Sequence, residues 1–269
     1  MERKISFPQN ILWFNLRYSP ELKYHISPII WQAHHWKNYI DEVIQDCSPD
    51  LILTQLNFSP PTVDVAKKYA IPVVMIIPSC DPFCFTNFTK GIDCNGKCNG
   101  CIALQNKIRY ILPQKWLKWN RDAIRNADLL IANSQFTRML IQKKFLSQNP
   151  CSVVYPGIDV SKYCSGENSR EYITILNPVK PKGSDIFLEI TKQIPGKKFL
   201  AVGNCDRKLM RHSPNNVRLL PKVSDMRKVY SKTKILLVPS IWEETFGRVA
   251  IEAGINAIPT IASNRGGLP

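Results

Sequence analysis

The chain has 269 residues, of which 44% are apolar, enough for about two globular domains on a prior of roughly 150 residues each. Its 36 basic and 21 acidic residues give a net charge of +15, which favours a polyanionic partner: nucleic acid, anionic lipid or a phosphorylated small molecule. No stretch reaches the roughly 20 apolar residues of a membrane-spanning helix, and Met1-Glu2-Arg3-Lys4 does not begin a signal peptide. We therefore expect a cytoplasmic location.

Short runs rich in valine and isoleucine alternate with helical patterns along the chain, which is typical of parallel strands covered by crossover helices. The predicted strands are Leu51–Thr54, Val73–Ile77, Leu129–Ala132, Ser152–Tyr155, Ile173–Leu176, Phe199–Val202, Ile235–Val238 and Thr260–Ala262, with a helix over Thr62–Tyr69. The predicted fold class is α/β, with doubly wound parallel sheets.

The region around Tyr155-Pro156-Gly157 and the polar stretch Ser161–Glu171 has the composition of a connection between domains. We therefore predict one domain over residues 1–156 and a second over residues 157–269.

A group of cysteines lies among glycines and asparagines in the first half of the chain: Cys94, Cys98 and Cys101, with Cys80 and Cys84 upstream. Thiolates on a glycine-rich turn can converge on one zinc ion. The spacing is not the paired C-x2-C pattern, so two interpretations stay open: a structural zinc held by Cys80, Cys94, Cys98 and Cys101, or reduced thiols that bind no metal.

The segment Lys107–Arg121 mixes basic and aromatic residues, as an interfacial membrane helix does. Pro113 interrupts the pattern, which favours a surface helix packed by its aromatic side chains, and peripheral membrane contact is the alternative. The basic residues are spread along the chain without a recognisable nucleic-acid-binding motif, so nucleic acid is not the favoured partner.

The segment Val238–Gly254 contains the main candidate functional residues. A buried strand ends at Pro239, a loop bears Glu243, Glu244 and Gly247, and a helix runs through Glu252. Ligands bind at the carboxyl ends of strands in such sheets, and free amides at a helix start suit a pyrophosphate. Two carboxylates on either side of that start can bind the hydroxyls at the two ends of one extended ligand.

Glu244 within Pro-Ser-x3-Glu-x-Phe-Gly, with Glu252 eight positions later and Asn264-Arg265-Gly266-Gly267-Leu268-Pro269 beyond it, resembles the donor-site motif of retaining GT-B glycosyltransferases of the GT4-like group, also called glycosyl transferases group 1. Further agreement lies, in order, at Pro49–Ile52, Ile71–Val74, Ala127–Ser134, Pro156–Asp159 and Lys182–Asp185. The resemblance implies two Rossmann-like domains facing a cleft, with the acceptor bound mainly by the first and the nucleotide-sugar donor by the second.

By that resemblance, Glu244 and Lys182 are the expected catalytic residues, and Glu252 binds the ribose. The other expected donor-binding residues are Phe246, Gly247, Thr245, Lys180, Asn177, Gly183, Gly266 and Gly267. The resemblance implies no required cofactor or catalytic metal, and a UDP- or GDP-linked sugar as donor. The net charge suits a lipid-linked or phosphorylated acceptor.

The chain also departs from the family pattern. Asn177 stands where the family usually has an arginine, which removes a bidentate phosphate contact, and the frequent His-Asp pair after the Ile-Pro-Val-Val strand is replaced by Ser79-Cys80-Asp81. The family's opening strand with its glycine-rich loop and its final elements are missing too, which indicates a chain cut short at both ends.

These departures leave alternatives to a glycosyltransferase. One is a non-catalytic nucleotide-binding or partner-binding fragment of such an enzyme, and another is a nucleotide-sugar epimerase. A third is a zinc-stabilised basic protein that binds membranes or nucleic acid.

Overall fold

The structure is a computed structural model that describes residues 26–84, 88, 92–93, 107–145, 148–166 and 169–269, without the side chains of 26–34, 107–113 and 145. The helices are α1 (Ile26–Cys47), α2 (Ser59–Lys68), α3 (Lys107–Asn126), α4 (Gln135–Phe145), α5 (Ser184–Gln193), α6 (Arg207–His212), α7 (Arg227–Tyr230) and α8 (Arg248–Ile255). The strands are β1 (Ile52–Gln55), β2 (Val73–Ile77), β3 (Leu129–Ala132), β4 (Cys151–Val153), β5 (Tyr172–Leu176), β6 (Phe199–Val202), β7 (Val217–Leu220), β8 (Thr233–Val238) and β9 (Thr260–Ala262).

Two separate parallel sheets form the architecture, which confirms the predicted α/β fold class. The described strands of the first sheet follow the order β1-β2-β3-β4. Its core is an apolar layer in which strand residues such as Met75 and Leu130 pack with Ile124 of α3 and Ile141 of α4. Burial of these side chains holds the helices on the sheet.

The second sheet has the order β7-β6-β5-β8-β9, all parallel. Successive strands run outward from β5 to β7, and the chain then crosses back to place β8 on the other side of β5. The strand order therefore reverses between β5 and β8, and this switch point opens a crevice at the carboxyl ends of those two strands. Phe187 of α5 and Phe199 of β6 pack edge to face in the core, with ring centroids 5.6 Å apart.

The structure has one strand that the sequence analysis does not predict, β7. Val217-Arg218-Leu219-Leu220 is an edge strand whose residues are half-buried or exposed. A continuous apolar run indicates a strand that is buried on both faces. A short edge strand that contains an arginine has no such run, so the sequence pattern does not predict it. The domain boundary predicted at residues 156 and 157 falls between the two sheets and stays a prediction.

Helix α3 runs through Pro113 without ending there. Beyond Pro113, Trp116 is buried, and the Trp119 indole donates a hydrogen bond to Asp64 Oδ2 at 3.0 Å. None of the helices that the structure describes is long and apolar enough to cross a membrane.

Candidate functional site

The predicted donor-site residues lie at the switch point of the second sheet. Lys182 follows β5 and Glu244 follows β8, and these two strands are hydrogen-bonded neighbours. Parallel strands end at the same edge of the sheet, so the two loops meet there. The Lys182 Nζ lies 3.8 Å from Glu244 Oε1, and both side chains are largely buried.

Glu244 is held by two hydrogen bonds and one ion pair. Besides Lys182, the Ser240 hydroxyl donates to Oε1 at 2.9 Å and the Trp242 indole N–H donates to it at 2.8 Å. Across the described residues, all three contacts converge on Oε1, which leaves Oε2 for the hydroxyl of a ligand. A carboxylate fixed in this way is a preorganised acceptor.

Lys182 ends a 3₁₀ turn, Lys180–Lys182, that stands directly before α5. Its ammonium group also lies 5.7 Å from the centre of the Trp242 ring, a cation–π distance. Lys180 begins the same turn, and Gly183 follows it as the N-cap of α5. The turn thus gathers two lysines at the crevice.

Asn177, at the position of the family's usual arginine, leads into this turn. Its φ is +48°, and its side-chain Oδ1 accepts a hydrogen bond from the Asn204 backbone N–H at 3.1 Å. The amide therefore stabilises the neighbouring loop after β6.

Helix α8 begins at Arg248, with Gly247 as its N-cap and Phe246 just before it. Gly247 has a φ of +74°, which favours glycine, and a Cβ there would lie 2.5 Å from Leu268 Cδ2. Two intramolecular constraints therefore explain this glycine without a ligand. The free amides of the first turn still form an anion-binding helix start.

Glu252 lies on α8 and is buried, with 6% of the residue exposed. The Tyr230 hydroxyl donates to Oε2 at 2.6 Å, and the Arg248 Nε donates to Oε1 at 2.7 Å. This carboxylate is part of an internal polar network and is not a solvated surface group.

Gly266 and Gly267 pack on the loop that bears Glu244. The Gly267 N–H donates to the Glu244 carbonyl at 2.7 Å. Just before them, Arg265 Nη1 pairs with Glu243 Oε1 at 3.0 Å. The glycine segment therefore sets the backbone position of the Glu244 loop.

The first sheet contacts the same loop from the other side. The Thr245 hydroxyl donates to the Pro78 carbonyl at 2.9 Å and accepts from Asn133 Nδ2 at 3.1 Å. Pro78 follows β2 and Asn133 follows β3, so the carboxyl edges of both sheets meet at this loop. The rings of Tyr155 and Phe246 lie nearby, 6.1 Å apart.

Cys80, one of the four predicted zinc ligands, is buried against the loop that bears Glu243 and Glu244. Its Sγ lies 3.8 Å from the Glu243 carbonyl oxygen. Burial, and then the charge of Asp81, raises the pKa of this thiol. Cys94, Cys98 and Cys101 lie outside the described residues. Among the residues that are described, no three His, Cys, Asp or Glu side chains gather as a metal site, and the zinc stays a prediction.

The sequence analysis does not predict several residues that contact Glu244 or Glu252. Ser240 belongs to the quoted Pro-Ser motif, and Arg248 precedes Glu252 by one helical turn, so both could be found from spacing. Trp242 lies two residues before Glu244, but spacing alone does not predict that its indole turns back to the carboxylate, and Tyr230 reaches Glu252 only in the folded chain.

The parallel sheets, the switch-point crevice and the carboxylates beside a helix start define a GT-B fold with a candidate nucleotide-sugar site. Two family models match the sequence: Glycosyltransferase Family 4 over residues 6–162, and Glycosyl transferases group 1 over residues 172–269. The first spans more than half of the chain, and the chain therefore belongs to glycosyltransferase family 4.

Curated relatives include D-inositol 3-phosphate glycosyltransferases. The protein from Mycolicibacterium smegmatis is 25% identical over 176 residues, which are 55% of this chain and 40% of the relative. The protein from Segniliparus rotundus is 28% identical over 189 residues, 58% of this chain and 41% of the relative. The matched region thus spans well under half of these relatives.

Solved structures share the fold. Anabaena HepE in complex with UDP-glucose has a TM-score of 0.64 at 17% identity, covering 86% of this chain and 64% of that one. Sucrose-phosphate synthase from Thermosynechococcus elongatus has a TM-score of 0.63 at 19% identity, covering 93% of this chain and 64% of that one. At these identities the likeness shows the fold alone.

Proposed function

We propose that this chain binds a nucleoside-diphosphate sugar at the switch point of its second sheet and transfers the sugar to an acceptor with retention of configuration. The observation that carries the proposal is the Lys182–Glu244 pair, 3.8 Å apart at the carboxyl ends of neighbouring strands. It places a cation for a diphosphate beside a fixed acceptor for sugar hydroxyls, at the edge where such sheets bind ligands.

In this proposal each residue has one task. Lys182, with Lys180 beside it, binds the diphosphate together with the amides at the start of α8 around Phe246 and Gly247. Glu252 accepts from the ribose hydroxyls, and Glu244 Oε2 accepts from a hydroxyl of the sugar. Thr245, Gly266, Gly267 and Asn177 shape the site through the contacts described above, and Gly183 does so as the N-cap of α5.

The reaction breaks the bond between the sugar C1 and the diphosphate oxygen and forms a bond from C1 to the acceptor oxygen. The proton of the acceptor hydroxyl passes to the departing nucleoside diphosphate. Negative charge grows on the leaving diphosphate, and Lys182 stabilises it in the transition state. The step uses no cofactor and no metal in this proposal.

Two features support the choice of donor and acceptor. HepE is described in complex with UDP-glucose, which makes UDP and UDP-glucose the first ligands to examine. The curated relatives are named for D-inositol 3-phosphate, and a phosphorylated acceptor suits the net charge of +15. A lipid-linked acceptor has the same anionic chemistry and would place the chain at a cytoplasmic membrane surface.

Calorimetric titration with UDP, GDP, UDP-glucose and GDP-mannose tests the donor site. Lys182→Ala should weaken nucleotide binding roughly 10- to 100-fold, because a charge-assisted contact is lost. Glu244→Gln should spare the nucleotide and reduce the extra affinity given by the sugar. Lys192→Ala is the matched control, since that lysine is exposed and pairs only loosely with Glu189 at 3.9 Å.

A transfer assay completes the test, with inositol phosphates and lipid-linked glycans as acceptors and liberated UDP or GDP as the readout. Binding that is sensitive to Lys182→Ala, together with acceptor-dependent release, supports the enzyme. Binding without release from any acceptor favours the non-catalytic nucleotide-binding alternative. Equal, unaltered binding by the wild type, Lys182→Ala and Lys192→Ala would remove the proposed site.

A further inference from the structure

The side chains of Tyr230 and Arg248 contact the Glu252 carboxylate from two sides. Tyr230 contacts Oε2 from the interior, at 2.6 Å, and Arg248 contacts Oε1 at 2.7 Å. A carboxylate has about four lone-pair positions, and these two contacts use two of them. With respect to the described residues, one position on each oxygen remains, which matches the two hydroxyls of a ribose.

Tyr230, the partner on the interior side, is enclosed by the core. Tyr230 ends α7, its side chain is fully buried, and it packs in the apolar cluster with Leu236 and Ala253. Burial, followed by the hydrogen bond to Glu252, raises the pKa of its phenol. The hydroxyl therefore stays protonated and acts as a permanent donor to the carboxylate.

Arg248, the other partner of Glu252, is more exposed to solvent than Tyr230. About half of the Arg248 side chain is exposed, and its guanidinium is held by Tyr163 through a hydrogen bond to the hydroxyl and through the ring face, 5.2 Å away. Tyr163 lies on the connection between the sheets. Arg248 thus covers Glu252 on the solvent side, from which a ligand must approach.

We propose that Tyr230 is a positioning residue that fixes the Glu252 carboxylate and so makes the site selective for nucleotides with an intact ribose diol. The inference rests on the proposed function. A carboxylate held by the rigid Tyr230 hydroxyl keeps its two remaining lone pairs at a spacing suited to the 2′- and 3′-hydroxyls. Without that hydroxyl the carboxylate turns toward Arg248 and the spacing is lost.

The test compares UDP and GDP with their 2′,3′-dideoxy counterparts by calorimetry. The wild type should prefer the ribonucleotide by roughly tenfold or more, because two hydrogen bonds to a charged group depend on the diol. Tyr230→Phe removes only the hydroxyl and should lower that ratio severalfold while the dideoxy nucleotide binds as before. Tyr69→Phe is the control, since that hydroxyl also has one partner, Gln45 at 2.9 Å, far along the chain from Glu252.

A double-mutant comparison separates positioning from a general loss of stability. Glu252→Gln should abolish the preference, and adding Tyr230→Phe to it should change the ratio no further. A merely structural role for Tyr230 would weaken both nucleotides equally and leave the ratio intact, which would overturn the inference while the donor site stands. A wild type that binds no nucleotide would overturn both proposals.

Discussion

Gly183 offers the sharpest test of how the site is built, because it joins the Lys182 turn to α5 with a φ of +81°. A Cβ placed on it would lie 2.1 Å from the Pro239 carbonyl oxygen, and Pro239 directly follows β8. The backbone of the two loops therefore meets at a position that has no room for a side chain. Gly183→Ala changes this contact by one methyl group.

The expected cost has two sources. A left-handed conformation costs a non-glycine residue roughly 1–2 kcal/mol, and forced overpacking adds about 1–3 kcal/mol. We therefore expect Gly183→Ala to lower the free energy of unfolding by roughly 2–5 kcal/mol. Non-bonded heavy atoms lie about 3.5 Å apart, so the loops must separate by on the order of 1 Å.

That separation acts directly on the site. The Lys182 Nζ and Glu244 Oε1 are already 3.8 Å apart, and a further shift removes the ion pair. Nucleotide binding should weaken even at temperatures where the variant remains folded.

Urea unfolding followed by tryptophan fluorescence measures the stability, and calorimetry with UDP and GDP measures the binding. Gly196→Ala is the matched control, because a Cβ there meets no atom within 4 Å. The reasoning would be refuted if both variants unfolded at the same urea concentration and bound nucleotide alike.

Three further outcomes follow from contacts described above. Thr245→Val removes the hydrogen bonds to the Pro78 carbonyl and from the Asn133 amide and should cost about 1–3 kcal/mol in urea unfolding, whereas Thr260→Val should be neutral or stabilising because its buried hydroxyl has no partner in the described chain. Cys80 should react with iodoacetamide at pH 8 at least roughly tenfold slower than exposed Cys164 in peptide mass spectrometry, since its thiol is buried and its pKa raised; equal rates would contradict its burial. Above pH 10 Tyr230 loses its proton in the unfolded chain, whereas in the folded chain its raised pKa keeps it protonated. The free energy of unfolding of the wild type should therefore fall with pH more steeply than that of Tyr230→Phe, by up to about 1.4 kcal/mol per pH unit. Parallel plots of unfolding free energy against pH for the two proteins would contradict this.

The sequence predicts the strands best where a short run of apolar and β-branched residues is continuous. Val73–Ile77, Leu129–Ala132, Phe199–Val202 and Thr260–Ala262 are found at the predicted bounds. The first three are continuous apolar runs, and the last precedes a glycine-rich turn, so local composition alone suffices. Strand β7 is an edge strand with an arginine, and its pairing depends on β6, which local composition does not reveal.

The sequence predicts which loops form the site, but it does not predict which side chains contact each other there. The Glu244 and Lys182 loops can be found because motifs and strand ends place them at one edge. That Trp242 donates to Glu244 depends on the local conformation of a loop, and that Thr245 contacts Pro78 of the other sheet depends on packing between segments far apart in the sequence. The Glu252–Arg248 pair is the exception, because helical spacing alone implies it.

The reversal of strand order between β5 and β8 also determines when the site can form. β5 and β8 are neighbours in the sheet, but β6, β7 and three helices separate them in the chain. Closing so long a loop is entropically costly and makes this pairing one of the slower, non-local steps of folding. During synthesis, a nascent chain that has not yet released α8 from the ribosome lacks Glu252, the proposed ribose-binding residue. Under the proposed function, nucleotide binding therefore reports completed folding in this half of the molecule, and a nucleotide added during refolding should stabilise the final state without accelerating the steps before it.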